Sequence, residues 1–411
     1  MSSRFSTVCF CIVFAALSCA SAAAQDIVPL ESPASPSLMD VADLWRIARH
    51  KDPPDAEAVR KFFVIAPSIG SKPSTGLNAG LAGNVAFFQG DTDTTHISSV
   101  SGGLKVSQKG QTLSGMKFAV FSDSNKWFVQ GDNRLSLTSQ NTYGLGSDTG
   151  PEDSANVKYD LFRLYESVYR KVGEGLYVGA GFNFSAHTNI RPGSSSTDVF
   201  DDSAYLAYSS RNGFTAQGQT SAGPSVGLIF DTRDNAINAQ RGWLASATYR
   251  TFFDGFLGGD SSWQELYVDV RTYRNLEADG RQRLAFWFLS DMVVGGTAPY
   301  LDLPTSAGDT YGRSARGYSE GRYRGEHLAY GEVEYRNTLT QNGLLGFVAF
   351  LNTTTIGSVD AGTRLFDTFA PGAGFGFRVL LNKRSRTNLC TDYGWGKDGS
   401  RGFYLSIQEA F

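Results

Sequence analysis

Beyond residue 24 the chain has no run of about eighteen apolar residues, so no helical span of a bilayer is written in it. Cysteine is nearly missing: of four in 411 residues, Cys9, Cys11 and Cys19 lie within the first 24. Cys390 then has no partner, which excludes an internal disulfide framework. Histidine is as scarce, and His50, His96, His187 and His327 stand at no metal-ligand spacing from one another, from cysteine or from a carboxylate pair. No metal and no cofactor is expected. The net charge of −3 gives no bulk attraction to nucleic acid.

What the chain does have is glycine, 46 residues, and aromatics at 13%. Residues 1–24 read as a secretory signal: Arg4, an apolar core from Val8 to Leu17, then Ala22-Ala23-Ala24, with cleavage after Ala24. Leu17-Ser18-Cys19 offers an alternative lipoprotein site. Residues 25–61 form a periplasmic linker. Pro29, Pro33 and Pro36 open it, and Leu38, Val41, Leu44, Trp45 and Ala48 recur at helical spacing before Asp52-Pro53-Pro54 stops the helix. That helix is expected under the domain that follows or inside it, an ordinary amphipathic helix being the alternative.

From Phe62 to Phe411 the pattern changes to strands parted by Gly, Asn, Asp and Ser. The reading gives sixteen: 62–70, 75–88, 97–108, 111–123, 126–138, 159–172, 175–189, 220–233, 243–255, 262–275, 281–295, 326–339, 344–357, 370–382, 387–396 and 402–411. An even count puts both ends on one side. Tight turns at 122–125, 172–175, 276–280 and 340–343 share that side, and the long stretches 139–158, 190–219, 296–325 and 358–369 fall opposite. Short turns on one side and long loops on the other are the outer-membrane pattern. The fold class is therefore all-β, a 16-stranded antiparallel transmembrane β-barrel of the outer membrane with a short helical periplasmic lead.

The faces are plain in several strands. Leu266, Val268 and Val270 oppose Glu265, Tyr267, Asp269, Arg271 and Tyr273. Phe375, Phe377, Val379 and Leu381 oppose Gly374, Gly376 and Arg378, and inward glycines suit a close approach to the wall. In Thr310–Arg336, a loop carrying Arg313, Arg316, Arg322 and Arg324 runs into a strand whose Glu332, Glu334 and Arg336 form an inward charged wall. Within it, Arg316-Gly317-Tyr318, Gly321-Arg322-Tyr323-Arg324 and Glu334-Tyr335-Arg336 resemble the signature of the BamA/TamA-like bacterial surface antigen family of outer-membrane assembly-factor barrels. The resemblance spans about residues 62–411, and Gly227–Trp243 is similar to that family's strand-turn-strand after its eighth strand.

The resemblance implies that the sixth outer loop folds back into the lumen, carrying Arg316, Gly317, Tyr318, Arg322 and Arg324. It implies an acid on the late strands for Arg316, with Asp392 the first candidate and Asp367 the second. Asn352 stands where relatives carry one further acid, and Arg313 is expected to matter little. Phe403, Leu405, Ile407 and Phe411 share a face and resemble the sorting signal read by the barrel-assembly machinery, with Glu409 a departure on that face. The lead of residues 25–61 is too short for the periplasmic POTRA domains of relatives, which are expected to be absent. The expected function is protein or lipid insertion or transport across the outer membrane, with membrane lipid, the assembly machinery and a protein or lipid client as partners. A passive channel or a structural surface antigen is the alternative. No enzyme is expected. Gly223-Pro224-Ser225-Val226-Gly227 matches a nucleophile elbow in letters only, since a strand pattern holds it. Ser185, two residues before His187 near an outer rim, is the one Ser–His pair with a claim.

Overall fold

The computed structural model describes residues 38–50, 61–72, 76–193 and 197–411. The signal and the proline-rich part of the linker lie outside the described residues. Sixteen strands make the wall: β1 (Lys61–Lys72), β2 (Gly76–Phe87), β3 (Ser98–Ser107), β4 (Thr112–Phe121), β5 (Trp127–Thr142), β6 (Ala155–Gly173), β7 (Leu176–Pro192) and β8 (Gln219–Asp231) form the first half. The second half is β9 (Gly242–Phe252), β10 (Trp263–Asn275), β11 (Gln282–Gly296), β12 (His327–Thr338), β13 (Leu345–Gly357), β14 (Ala370–Asn382), β15 (Thr387–Gly396) and β16 (Arg401–Ile407). Every strand pairs antiparallel with its sequence neighbours, and β1 curls back to β16.

Period two decides the faces. Ile65, Leu81, Leu104, Leu135 and Leu351 are exposed on the outside, an apolar band of the kind that meets lipid. Residues of the opposite parity on the strands turn inward, and Asn84, Asp132, Ser136, Glu332 and Glu334 are buried. Along the ladders the backbone groups pair with the next strand, the form that a bilayer favours.

The ring is tight everywhere but at its return. β1 pairs with β2 over all twelve of its residues, Lys61 through Lys72. Across the seam, among the described residues, only Ser71 is in register with Phe403. The cause lies in β16, which ends at Ile407 and not at Phe411. Gln408 takes a left-handed backbone (φ 75°) and turns the chain into the lumen. Phe411 is therefore buried rather than on the outer face of Phe403, with its ring 5.2 Å from Trp287 and its carbonyl 2.8 Å from the Arg336 guanidinium. Glu409 is buried too, 2.6 Å from Arg378 and 2.7 Å from the Asn388 amide. A carboxylate that finds a guanidinium inside the barrel gains more than one left at the lipid boundary, and it takes the last four residues with it.

Two helices, α2 (Thr197–Asp201) and α3 (Ala204–Arg211), fold within the outer loop between β7 and β8. α3 presses Tyr205 and Tyr208 onto Tyr300, closing an aromatic cluster that includes Phe252 and Trp263. In the lead, helix α1 (Val41–Ala48) starts at a capping box in which the Asp40 side chain accepts from Asp43 N–H and the Asp43 side chain accepts from Asp40 N–H. It docks on turns at the strand ends, not in the lumen. Met39 N–H donates to Asn342 O, Lys383 N–H to Asp40, and the Lys383 ammonium lies 2.8 Å from Asp43. The polar edge faces the barrel, so Leu44, Trp45 and Ile47 are left exposed.

Candidate functional site

The outer loop between β11 and β12, residues 297–326, goes down into the barrel. Its lowest part is shaped by Asp309, whose carboxylate accepts from the backbone N–H of Tyr311, Arg313 and Ser314. That ring of bonds holds the turn before Arg316. Arg316 is 2% exposed. Its guanidinium donates to Asp392 at 2.9 Å and to both Glu332 and Glu334, and it lies 3.6 Å over the Phe350 ring. Asp392 is shared with Arg378 at 2.6 Å, and Glu334 with Arg336 at 2.6 Å. Three guanidiniums and four carboxylates, Glu409 on Arg378 being the fourth, thus form one connected network across β12, β14, β15, the loop and the inturned chain end. Isolated buried charge is costly; a network in which each charge touches an opposite one removes most of that cost.

Gly317 follows in a left-handed conformation (φ 112°), and the wall opposite is bare. A Cβ at Gly394 would lie 2.9 Å from the Gly317 nitrogen, and one at Gly396 would lie 2.5 Å from the Tyr318 ring. The inward glycines of β15 are what allow the loop backbone to lie on the strand. Tyr318 O–H donates to Pro371 O, Tyr404 O–H approaches Gly317, and Ser400 donates to Gly317 O. Asn352, in the place of an acid, donates to the Arg316 carbonyl at 3.1 Å.

Arg322 and Arg324 sit higher and serve the loops. Arg322 donates to Thr149 O at 2.7 Å, and Arg324, 2% exposed, donates to Tyr300 O, Leu303 O and Gln140. Asp367 is exposed on the loop after β13, where it accepts from Arg364 N–H, and is not part of the Arg316 network. Arg313 is not idle. It donates to the carbonyls of Ile407 and Glu409 and so holds the inturned end of the chain. Ser185 and His187 both face Asp302, with His187 Nδ1 at 3.8 Å from it. Both are sealed from solvent, 0% and 3% exposed.

Two features escaped the sequence reading. Glu332 and Glu334 were placed on the wall but not assigned to Arg316. An acid-x-Arg pattern also recurs on β5, β10 and β12 and at the end of β8: Asp132/Arg134, Asp269/Arg271, Glu334/Arg336 and Asp231/Arg233, with contacts of 2.7, 2.5, 2.6 and 2.7 Å. Spacing of two on a strand puts both groups on one face, so the repeat was there to be read as a lumen that neutralises itself.

With this geometry the comparison with solved structures is informative. BamA from Haemophilus ducreyi, in a structure lacking POTRA domains 1-3, matches with a TM-score of 0.51 at 11% identity, over 85% of this chain and 69% of that one. CdiB from Acinetobacter baumannii gives 0.53 at 10%, over 85% and 59%. CdiB from Escherichia coli gives 0.52 at 12%, over 87% and 65%. The fold is that of the BamA and CdiB barrels. No family model matches the sequence, and no curated protein does. This chain spans 59% to 69% of the length of those BamA and CdiB chains. Like them it is an antiparallel β-barrel, with an apolar band on its outer face and an ionic network within.

Proposed function

We propose that this barrel aids the insertion or transport of a protein or lipid client across the outer membrane, and that the client engages the seam between β1 and β16. The observation that carries the reading is the seam itself. Among the described residues one registered pair closes it, while the other ladders pair along most of their length. A strand edge left unpaired in a bilayer holds backbone groups that need partners, and an incoming strand supplies them. The plugged lumen argues against the alternative of a passive channel. The loop enters the bore and is bonded to β5, β12, β13 and β15.

The test locks the seam. Cysteines at Ser71 and Phe403, opposite one another in register, are cross-linked in the membrane. Cells depending on the locked barrel should lose the client's delivery to the outer membrane and regain it on reduction. Undiminished delivery from a fully cross-linked barrel sinks the reading, and steady open conductance in a planar bilayer replaces it with the channel.

A further inference from the structure

The apolar outer face is broken at one polar spot. Trp127, Leu135 and Leu137 on β5 and Phe162 and Val168 on β6 are exposed on the outside. By the same period of two, Asn133 and Glu166 also face outward. Their height can be read from the ladder. Trp127 is in register with Arg170, whose guanidinium stacks 5.0 Å over its ring, and this pair marks the lower rim. Leu137 is in register with Asp160 near the upper rim. Between these two rungs, Gly131–Glu166 and Asn133–Leu164 are the middle ones of outward parity. A carboxylate and an amide therefore sit halfway up the apolar band.

The two groups satisfy each other only in part. The Asn133 amide donates to one Glu166 oxygen at 2.8 Å. The Asn133 side-chain oxygen is buried without a partner. The second Glu166 oxygen accepts from no donor among the described residues. It lies over Gly131, where a Cβ would stand 2.6 Å from it and 2.5 Å from the Phe118 ring. The missing side chain of Gly131 is thus what lets the carboxylate lie in a notch of the wall. An amide nitrogen carries two N–H groups, so one on Asn133 is left to give. In hydrocarbon no water is at hand to take it, and a polar or ionised side chain there calls for a partner. The adjoining outward positions do not answer the call, being Met116 and Phe118 on β4 and Phe182 and Phe184 on β7.

We propose that Asn133 and Glu166 are the centre of a contact between two copies of this chain, side by side in the membrane through β5 and β6. A two-fold axis sets the same patch against itself. The free N–H of each Asn133 then meets the free Glu166 oxygen of the other copy, and neither spot is complete alone. What the patch lacks it also offers, one acceptor for its N–H and one donor for its carboxylate, and this selects a second copy. A purely cationic partner would answer the carboxylate and leave the amide unmet. Phe118, Leu135, Phe162 and Phe182 stand as apolar ridges about the Gly131 notch, and close packing is what holds proteins together where lipid is as apolar as they are. The inference rests on the reading that the outer band meets lipid. It needs neither the seam nor a client.

The experiment keeps the full chain in lipid bilayers and cross-links it through Leu135→Cys, beside the spot on β5 and 65% exposed. Cys390 is buried and does not compete. A product of dimer size should form from Leu135→Cys and not from Leu351→Cys, an exposed outward position on β13. Adding Glu166→Leu or Asn133→Leu should weaken dimerisation roughly tenfold, because both hydrogen bonds go at once. Heat-modifiable mobility checks that each variant folds. Should the leucine variants fail to fold, the comparison of Leu135→Cys with Leu351→Cys decides, since Asn133 and Glu166 are intact in both. Equal cross-linking at the two positions, or a dimer indifferent to both leucine substitutions, overturns the proposal. A product joining Leu135→Cys to a different protein overturns it too, because the spot then has another partner. Recovery of the chain outside the membrane fraction sinks the lipid-facing reading and the dimer with it, whereas an embedded barrel that stays monomeric sinks the dimer alone.

Discussion

Arg316 touches three carboxylates, and that number changes what its removal does. Breaking a buried pair on one side costs about 3–5 kcal/mol, against about 0–1 kcal/mol for an exposed one. Arg316→Ala leaves Glu332 and Glu334 side by side without their shared cation. We expect a loss in the larger range, read as a lower temperature for the heat-induced mobility change, together with cleavage of the loop by external protease. Asp392→Ala should cost less, because Arg316 keeps two acids and Arg378 keeps Glu409. The double variant should fall short of the sum, since one bond is counted in both. Full additivity would mean that the 2.9 Å contact contributes nothing. Arg313→Ala should free the inturned chain end while leaving the Arg316 network in place, seen as faster exchange of the Gln408 and Glu409 amides with no protease cut in the loop.

At the scale of elements, the strand reading followed the structure within a few residues for the wall, because lipid outside and polar groups inside force a strict period of two. It broke where another force overrides that period. The alternation Phe403, Leu405, Ile407 continues by letter to Phe411, yet Glu409 sits at a lipid-facing parity. The pull of Arg378 on that acid bends the chain inward, and no local pattern contains Arg378. Phe411→Ala accordingly removes a ring packed on Trp287, for which about 3–5 kcal/mol is the usual range. Stability of the folded barrel should drop even where the folded amount is unchanged. A drop in amount alone, with unaltered stability, would assign Phe411 to sorting. The helical spacing of α1 was legible, but not which side it turns to the barrel, because its polar edge is recruited by Lys383 from far along the chain. The partial burial of Asp43 works against its charge, but the Lys383 hydrogen bond and charge outweigh it and hold the carboxyl below its ordinary value. A carboxyl depressed in the docked state favours docking above its undocked pKa, and that help disappears as pH falls through the docked value. α1 should stay docked at neutral pH and loosen only in acid. The mobility of a spin label at His50 reports this, and Lys383→Ala should remove the acid step.

For the whole molecule, a barrel wall whose backbone groups pair between strands along every ladder but the β1–β16 seam should resist SDS until heated, and heat-modifiable mobility checks it. The plug is fastened unevenly. The hydrogen bonds of the inserted loop run to β5, β8, β12, β13, β14, β15 and β16, and the Arg316 ion pairs run to β12 and β15. Amide exchange should therefore be faster in β1 to β4 than in β12 to β15, the reverse order being incompatible with this fastening.

Uneven fastening also gives the barrel a mechanical character. One arc, riveted to the plug by ion pairs, is stiff. The other, where small residues such as Ala82, Ser101 and Gly103 line the wall, is compliant. When the membrane stretches or thins, the change in girth falls on the compliant arc, and the stiff arc keeps its shape. The protein then behaves less like a pipe than like a clasp ring, whose spring lies beside its opening.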